Sequence, residues 1–201
     1  EELLGRRRFS FVPYLCWNER VYNKLKNQGL KNVTILGSPF LYLNKILNYK
    51  KETIEENGTI VFPSKSTYEK NRDVDYKTLV NQVQKELPGP YTISIYYPDL
   101  KKDLSIFKKN GWKIVSFGKR SDNNFLEKNY LEICKNKNVV CTSINTVFFY
   151  SAFLKKNVKF LINFNERNIV LTPDQNQILT QNFYEQEYPG IFSNNLNKDQ
   201  L

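Results

Sequence analysis

The chain contains no histidine. That absence excludes the usual zinc sites and any histidine-based catalytic triad within these 201 residues. A general base in this chain would have to be a carboxylate, or it lies elsewhere. Cysteine is scarce: Cys16 is far from Cys134 and Cys141, the number is odd, and there is no CxxC pair. The expectation is reduced packing thiols in a cytosolic protein. No apolar run reaches the roughly 18 residues of a membrane span. Leu3 to Arg8 lacks the apolar length of a signal peptide. Methionine is missing as well, and the chain opens Glu1-Glu2-Leu3-Leu4. This reads as a segment of a longer protein or a processed product, with part of the functional machinery elsewhere.

What is present describes a globular chain. Hydrophobic residues make up 40% and aromatics 14%, which supplies a core and excludes a disordered tail. The length suits one domain, or one domain with an extra subdomain. Thirty basic against 20 acidic residues give a net charge of +10. Such an excess favours anionic partners, whether nucleotide phosphates, nucleic acid or an anionic membrane face, without choosing among them. Much of the lysine sits on presumed solvent faces, as in Tyr22-Asn23-Lys24-Leu25-Lys26, and Arg6-Arg7-Arg8 reads as a solvated terminal charge run. A genomic base bias also produces chains rich in Lys, Asn and Ile.

Hydrophobic periodicity predicts an alternation of strands and helices. Phe11–Cys16 reads as an edge strand or extended entry, Asn18–Gln28 as a helix, and Asn32–Leu36 as a strand. Pro39 opens a helix over Phe40–Leu47, and the charged stretch Lys50–Gly58 reads as a linker. Strands follow at Thr59–Phe62, Tyr91–Tyr97, Trp112–Phe117, Val139–Cys141 and Val158–Ile162. Helices fall at Tyr76–Leu87, Leu100–Lys109 and Phe125–Asn136, the last with Leu126, Tyr130, Leu131 and Cys134 on one face. A further helix begins within Thr142–Thr146, with Ser143 or Asn145 as its cap, and Asp174–Tyr188 reads as a polar final helix. This order predicts an α/β fold: a Rossmann-like parallel sheet with helices on both faces.

Ligands of such sheets bind beyond the carboxyl ends of the strands, and four polar loops occupy that edge. Pro63-Ser64-Lys65-Ser66-Thr67 offers hydroxyls and a cation to phosphate oxygens, without the glycines of a P-loop. Tyr96-Tyr97-Pro98-Asp99 places an aromatic and a carboxylate. Phe117-Gly118-Lys119-Arg120-Ser121-Asp122 offers close backbone approach, two cations and a candidate helix cap at Asp122. Thr142–Thr146 opens a helix whose unpaired N–H groups and dipole suit an anion. Turn chemistry alone also explains each loop. Four polar strand ends together favour a functional edge.

These loops carry a resemblance. Residues 58–162 resemble the donor-binding C-terminal domain of GT-B glycosyltransferases, near the CDP-glycerol glycerophosphotransferases of teichoic-acid and capsule polymer synthesis. Thr59-Ile60-Val61-Phe62-Pro63-Ser64-Lys65-Ser66 is similar to the strand that ends in a Pro-Thr-x-Arg-like loop in that group. Val140-Cys141-Thr142-Ser143-Ile144-Asn145-Thr146, leading to Leu154-Lys155-Lys156-Asn157-Val158, is similar to its Asp-Tyr-Ser-Ser stretch and following strand. Two positions depart. Tyr97-Pro98-Asp99 stands where the group carries Lys-Pro-His, and Thr142 stands at the Asp of Asp-Tyr-Ser-Ser. Both favour a sugar donor over a glycerophosphate donor.

The resemblance implies half of a GT-B fold. Residues 1–57 would be the end of the acceptor domain or an interdomain segment, and residues 58–201 the nucleotide-sugar domain with its C-terminal helix. It implies a nucleotide-diphosphate sugar or CDP-alcohol donor and a polysaccharide acceptor, with no cofactor and no bound metal. The donor phosphates would meet Ser64, Lys65, Ser66, Thr67, Ser143, Asn145 and Thr146. Tyr97 and Gly118 would lie nearby, with Gly118 against the base. Lys65, Asp99 and Arg120 are the candidate catalytic residues: Lys65 or Arg120 would offset charge on the leaving phosphate, and Asp99 would hold a donor hydroxyl. The expected location is cytoplasmic, with room for a peripheral contact at the inner membrane face. Two rivals stand beside this reading: a non-catalytic α/β scaffold, and a basic nucleic-acid-binding module, for which no RRM, KH or helix-turn-helix signature is present.

Overall fold

The computed structural model describes residues 13–64, 74–143 and 145–161. The chain divides into two compact units, Glu1–Lys50 and Lys51–Leu201, and the division falls inside the stretch read as a linker. Arg6–Arg8, Lys65–Thr67 and Asp174–Tyr188 lie outside the described residues.

In the first unit β1 (Tyr14–Cys16) and β2 (Val33–Ile35) pair in parallel across helix α1 (Glu19–Asn27). Asn18 starts α1 by accepting the N–H of Val21 at 2.9 Å, as an N-cap does. Cys16, Leu30 and Val33 form a small core with Tyr14, Tyr22 and Leu25 against it. Helix α2 runs from Pro39 to Glu52, beyond the expected end at Leu47. Lys50, Lys51 and Glu52 are good helix formers, so their charge does not stop the helix.

The second unit is α/β. Strands β3 (Thr59–Phe62), β4 (Tyr91–Ser94), β5 (Lys113–Val115), β6 (Asn138–Cys141) and β7 (Asn157–Phe160) form one parallel sheet in the order β5-β4-β3-β6-β7. Val61 pairs with both Ile93 and Val140, so these three side chains share a face. They pack with Leu79, Val80 and Val83 of α3 (Tyr76–Glu86) and Phe107 of α4 (Ser105–Lys109). Ile60, Phe62, Val139 and Cys141 alternate to the other face. There α5 (Phe125–Lys135) and α6 (Thr146–Phe153) lie, as right-handed crossovers require once the chain turns back past β3. The 2.8 Å bond from Lys113 to Glu132 of α5 and the Phe148–Phe160 ring contact at 6.3 Å fix that face.

The amino edge of this sheet is closed by its own hydrogen bonds. Thr59 Oγ1 donates to the Pro88 carbonyl at 2.7 Å, Asn138 Nδ2 to the Gly58 carbonyl at 3.2 Å, and Asn157 Nδ2 to Asn138 Oδ1 at 2.7 Å. Lys156, buried, donates to the Cys134 carbonyl and pairs with Glu56, each at 2.8 Å. These groups are spent on structure. The carboxyl edge is the one left for a ligand.

Several elements differ from expectation, each for a local reason. β4 stops at Ser94 and a 3-10 turn spans Tyr97–Lys101, because Pro98 has no N–H to continue a ladder. The helix expected over Leu100–Lys109 is thereby cut short. α4 starts at Ser105, whose N–H is taken by Asp103 Oδ1 at 2.9 Å. In α5 the buried residues are Asn129, Tyr130, Glu132, Ile133 and Cys134, with Leu126 and Leu131 only half-buried. All three cysteines are buried thiols, none of them in a disulfide. Among the described residues, no helix is long and apolar enough to cross a membrane.

Glu132 supplies a pH-dependent term. Burial pushes its carboxyl up, but hydrogen bonds from Lys113 and Lys135, at 2.8 and 3.0 Å, outweigh that and hold it below the ordinary value of 4.5. A carboxyl depressed in the folded state stabilises above its unfolded pKa, and that contribution is lost as pH falls through the folded one. Urea melts from about pH 6 down to about pH 3 should therefore lose stability below 4.5. The loss should be smaller in Glu132→Gln; an unchanged acid slope in that variant would exclude this pair as its source.

Candidate functional site

The sheet order creates a crevice. From β3 the chain builds outward through β4 and β5, then returns to place β6 on the opposite side of β3. The loops that follow β3 and β6 therefore leave adjacent strands in opposite directions, the topological switch point at which open α/β sheets take ligands. Both strands are fully buried, Thr59–Phe62 and Asn138–Cys141, and their last residues, Phe62 and Cys141, are partners in the ladder, so the two loops start level.

One hydroxyl ties them together. Ser64 N–H donates to Thr142 Oγ1 at 2.8 Å, and Ser64 Oγ lies 3.2 Å from the same oxygen. Thr142 is 0% exposed and Ser64 4%. A buried hydroxyl needs a partner, and here each residue supplies the other's. Ser64, expected to face phosphate, is thus largely committed to this bridge.

Beside the bridge starts α6. Its cap is Asn145, extended at φ −150 and ψ 175, whose Oδ1 accepts from Val147 N at 2.9 Å and Phe148 N at 3.2 Å. The sequence left Ser143 and Asn145 open for this role. The cap narrows the anion seat, because the second and third N–H groups of the helix point to Asn145's own oxygen. What faces the crevice is the first turn around Thr146, which is exposed, with Ser143 and Asn145 half-buried beside it.

The ends of β4 and β5 form a second cluster. Asp99 is 4% exposed, its N–H bonds to the Tyr96 carbonyl at 2.8 Å, and its carboxylate pairs with Lys102 at 2.9 Å. Its charge is thereby partly spent. Gly118 has φ +83, and a Cβ there would lie 2.2 Å from Asp122 Oδ2. Asp122 does not cap α5: its Oδ2 accepts the Lys119 N–H at 2.8 Å and closes its own loop. Asn124 precedes α5 without a side-chain capping bond. Lys119 Nζ stands 5.9 Å over the Tyr97 ring, and the Arg120 guanidinium 6.0 Å over that of Tyr96. The two tyrosines meet edge to face at 4.9 Å. Phe62 and Phe117, with ring centroids 6.4 Å apart, connect the end of β3 to the segment after β5.

The carboxyl edge therefore gathers Ser64, Ser143, Asn145 and Thr146 at the crevice, and Tyr97, Asp99, Gly118 and Arg120 one to two strands away. Lys65, Ser66 and Thr67 lie outside the described residues. Sequence reasoning missed Thr142 as the bridge, although a threonine directly after the apolar run Val139-Val140-Cys141 was the available signal. It also missed Tyr96 and Lys119 as partners in the second cluster. Among the described residues, no group of three His, Cys, Asp or Glu side chains is placed to hold a metal ion. Comparison with protein-family models, with curated proteins and with solved structures found no match to this chain.

Proposed function

We propose that the chain is a transferase domain that binds a nucleotide-diphosphate donor at the carboxyl edge of the five-stranded sheet and serves bacterial surface polysaccharide synthesis of the capsule or teichoic-acid kind. The observation that carries the binding site is the Ser64–Thr142 bridge across the β3/β6 switch point, with the N-terminus of α6 beside it. The bridge holds two loops at one fixed opening, and the helix dipole gives that opening a positive end. The transferase class and the polymer rest on the sequence resemblance.

In such a transfer the bond from the donor carbon to the diphosphate oxygen breaks, and the acceptor oxygen takes the carbon. Negative charge grows on the departing diphosphate. The first turn of α6, with the Thr146 and Ser143 hydroxyls, would stabilise that charge. The acceptor and its base are assigned to no residue of this chain.

Asn145→Asp tests the site. A carboxylate keeps the cap oxygen and suits the helix dipole, so thermal stability should hold within about 0.5 kcal/mol. The same charge repels a diphosphate, so pyrophosphate and nucleoside diphosphate binding by calorimetry should fall at least about tenfold. Unchanged affinity in a folded Asn145→Asp chain would remove this helix terminus from the site.

A further inference from the structure

We propose that the first unit carries a docking surface for an anionic lipid bilayer, formed by the exposed side of α2 and the outer face of the β1/β2 pair. This goes beyond the donor reading and stands without it, since the first unit holds none of the residues assigned to the donor.

Large apolar side chains are exposed unevenly. Of the ten among the described residues, eight fall between Leu15 and Ile46, and the other two are Leu100 and Phe153. Single exposed residues of this kind are ordinary, but a cluster marks an interaction surface. The ladder register makes the cluster continuous. Tyr14 and Cys16 of β1 share a face with Val33 of β2 and pack against α1. Leu15 and its partner Thr34 therefore face away from α1, and both are exposed. Leu36, whose N–H bonds to the Cys16 carbonyl at 2.8 Å, continues the Thr34 side. The Tyr42 hydroxyl donates to the Leu36 carbonyl, which joins this face to α2. That helix is apolar on two sides. Phe40 and Leu47, seven residues apart, are buried, while Leu41, Tyr42, Lys45 and Ile46 are exposed on the opposite side, Ile46 at 66%. A helix apolar all round is a covered one.

Two features select lipid as the cover over a protein layer. The first is charge. Residues 13–50 hold Arg20, Lys24, Lys26, Lys31, Lys45 and Lys50 against Glu19 alone, a net +5 that is half the charge of the whole chain. Anionic headgroups attract such a segment. The second is the kind of side chain. Trp17 and Tyr42 are amphipathic aromatics, which concentrate at membrane–water interfaces. Lys45, between Leu41 and Ile46 on the stripe, can lay its stem along apolar surface and set its ammonium among headgroups. A protein layer on the same stripe would bury that charge and would need an acid to meet it. An anionic polymer would satisfy the charge but offers nothing to Leu15, Leu41 and Ile46.

The test uses the full chain and vesicles of phosphatidylcholine, with and without about one third phosphatidylglycerol. The chain has two tryptophans. Trp112 is buried and stacked on Tyr91, so the exposed Trp17 reports the surface. Its emission should shift to the blue with the anionic vesicles, and Trp17→Phe should lose the shift while still sedimenting with them. Ile46→Ser and Lys45→Glu, both at exposed positions, should each weaken co-sedimentation at least about tenfold. Phosphatidylcholine alone should bind at least about tenfold more weakly than the mixture. Binding that both variants leave unchanged overturns this surface and assigns the attraction to the net charge of the chain. Absence of binding to the anionic vesicles also overturns it; a concentration-dependent dimer in the ultracentrifuge, lost in Ile46→Ser, would then give the face to a second copy. None of these results bears on the donor reading, which the diphosphate titrations of Asn145→Asp decide.

Discussion

Gly58→Val should destabilise the second unit by about 3–5 kcal/mol, enough to lower its melting temperature by roughly 10 °C. Gly58 has φ +75, a conformation that costs an L-residue about 1–2 kcal/mol and a β-branched one more. Sterics add to that cost. A Cβ at this position would stand 2.2 Å from the Pro90 carbonyl oxygen and 2.9 Å from Pro90 Cδ. The same carbonyl accepts the Thr59 N–H at 2.9 Å and opens the β3/β4 ladder, while the Gly58 carbonyl takes the Asn138 N–H at 3.0 Å and opens the β3/β6 side. Relieving the clash means parting β3 from one neighbour at the point where its pairing begins. Gly111→Ala is the control, since Gly111 has φ +71 and open space around its missing Cβ. It should cost only the conformational share, about 1–2 kcal/mol. Denaturant titration of both variants separates the two terms, and equal losses would show that the Pro90 contact relaxes freely.

The sheet itself was legible because its central strands are short apolar runs bounded by breakers. Thr59–Phe62 follows Asn57-Gly58, and Val139–Cys141 precedes a polar turn; both strands lie within one residue of their expected bounds. α3 was equally plain, since Leu79, Val80 and Val83 carry a helical period and all three are buried. The α5 face was legible only in part: Tyr130 and Cys134 are buried, Leu126 and Leu131 half-buried, and the buried stripe also runs through polar residues. Asn129 and Glu132 point inward where an apolar face would exclude them, and Glu132 does so because Lys113, an edge-strand residue on the same sheet face, meets it. No local pattern reports a partner 19 residues away. Asp122 and Asn145 show the same limit at short range. Each suits a helix cap by type, but only Asn145 takes the extended backbone that aims its oxygen at the first turn. Asp122 instead turns back on Lys119. The strand ends of the site could be read in order along the chain. That the first and fourth of them are neighbours could not, because strand order is a property of the crossovers.

The Ser64–Thr142 bridge spans 78 residues of sequence, and its loss should be felt twice. Thr142→Val keeps the buried shape and removes the hydroxyl. The Ser64 N–H and Oγ, both buried, are then left without that oxygen, at a cost of about 1–3 kcal/mol. Thr142→Ser keeps an oxygen and should recover most of that loss. Ser64→Ala removes only the 3.2 Å side-chain contact and leaves the 2.8 Å backbone bond to Thr142, so it should cost less, about 0.5–1 kcal/mol. The two changes share one acceptor, so the double variant should lose less than the sum of the singles. Pyrophosphate affinity should also fall about tenfold in Thr142→Val, because an opening no longer held at one width must be ordered by the ligand itself. The order of the three single variants is the decisive feature: a Thr142→Val chain as stable as Thr142→Ser would show that the switch point is held by its strands alone. A Thr142→Val chain that is destabilised yet binds pyrophosphate normally would place the ligand elsewhere on the sheet edge.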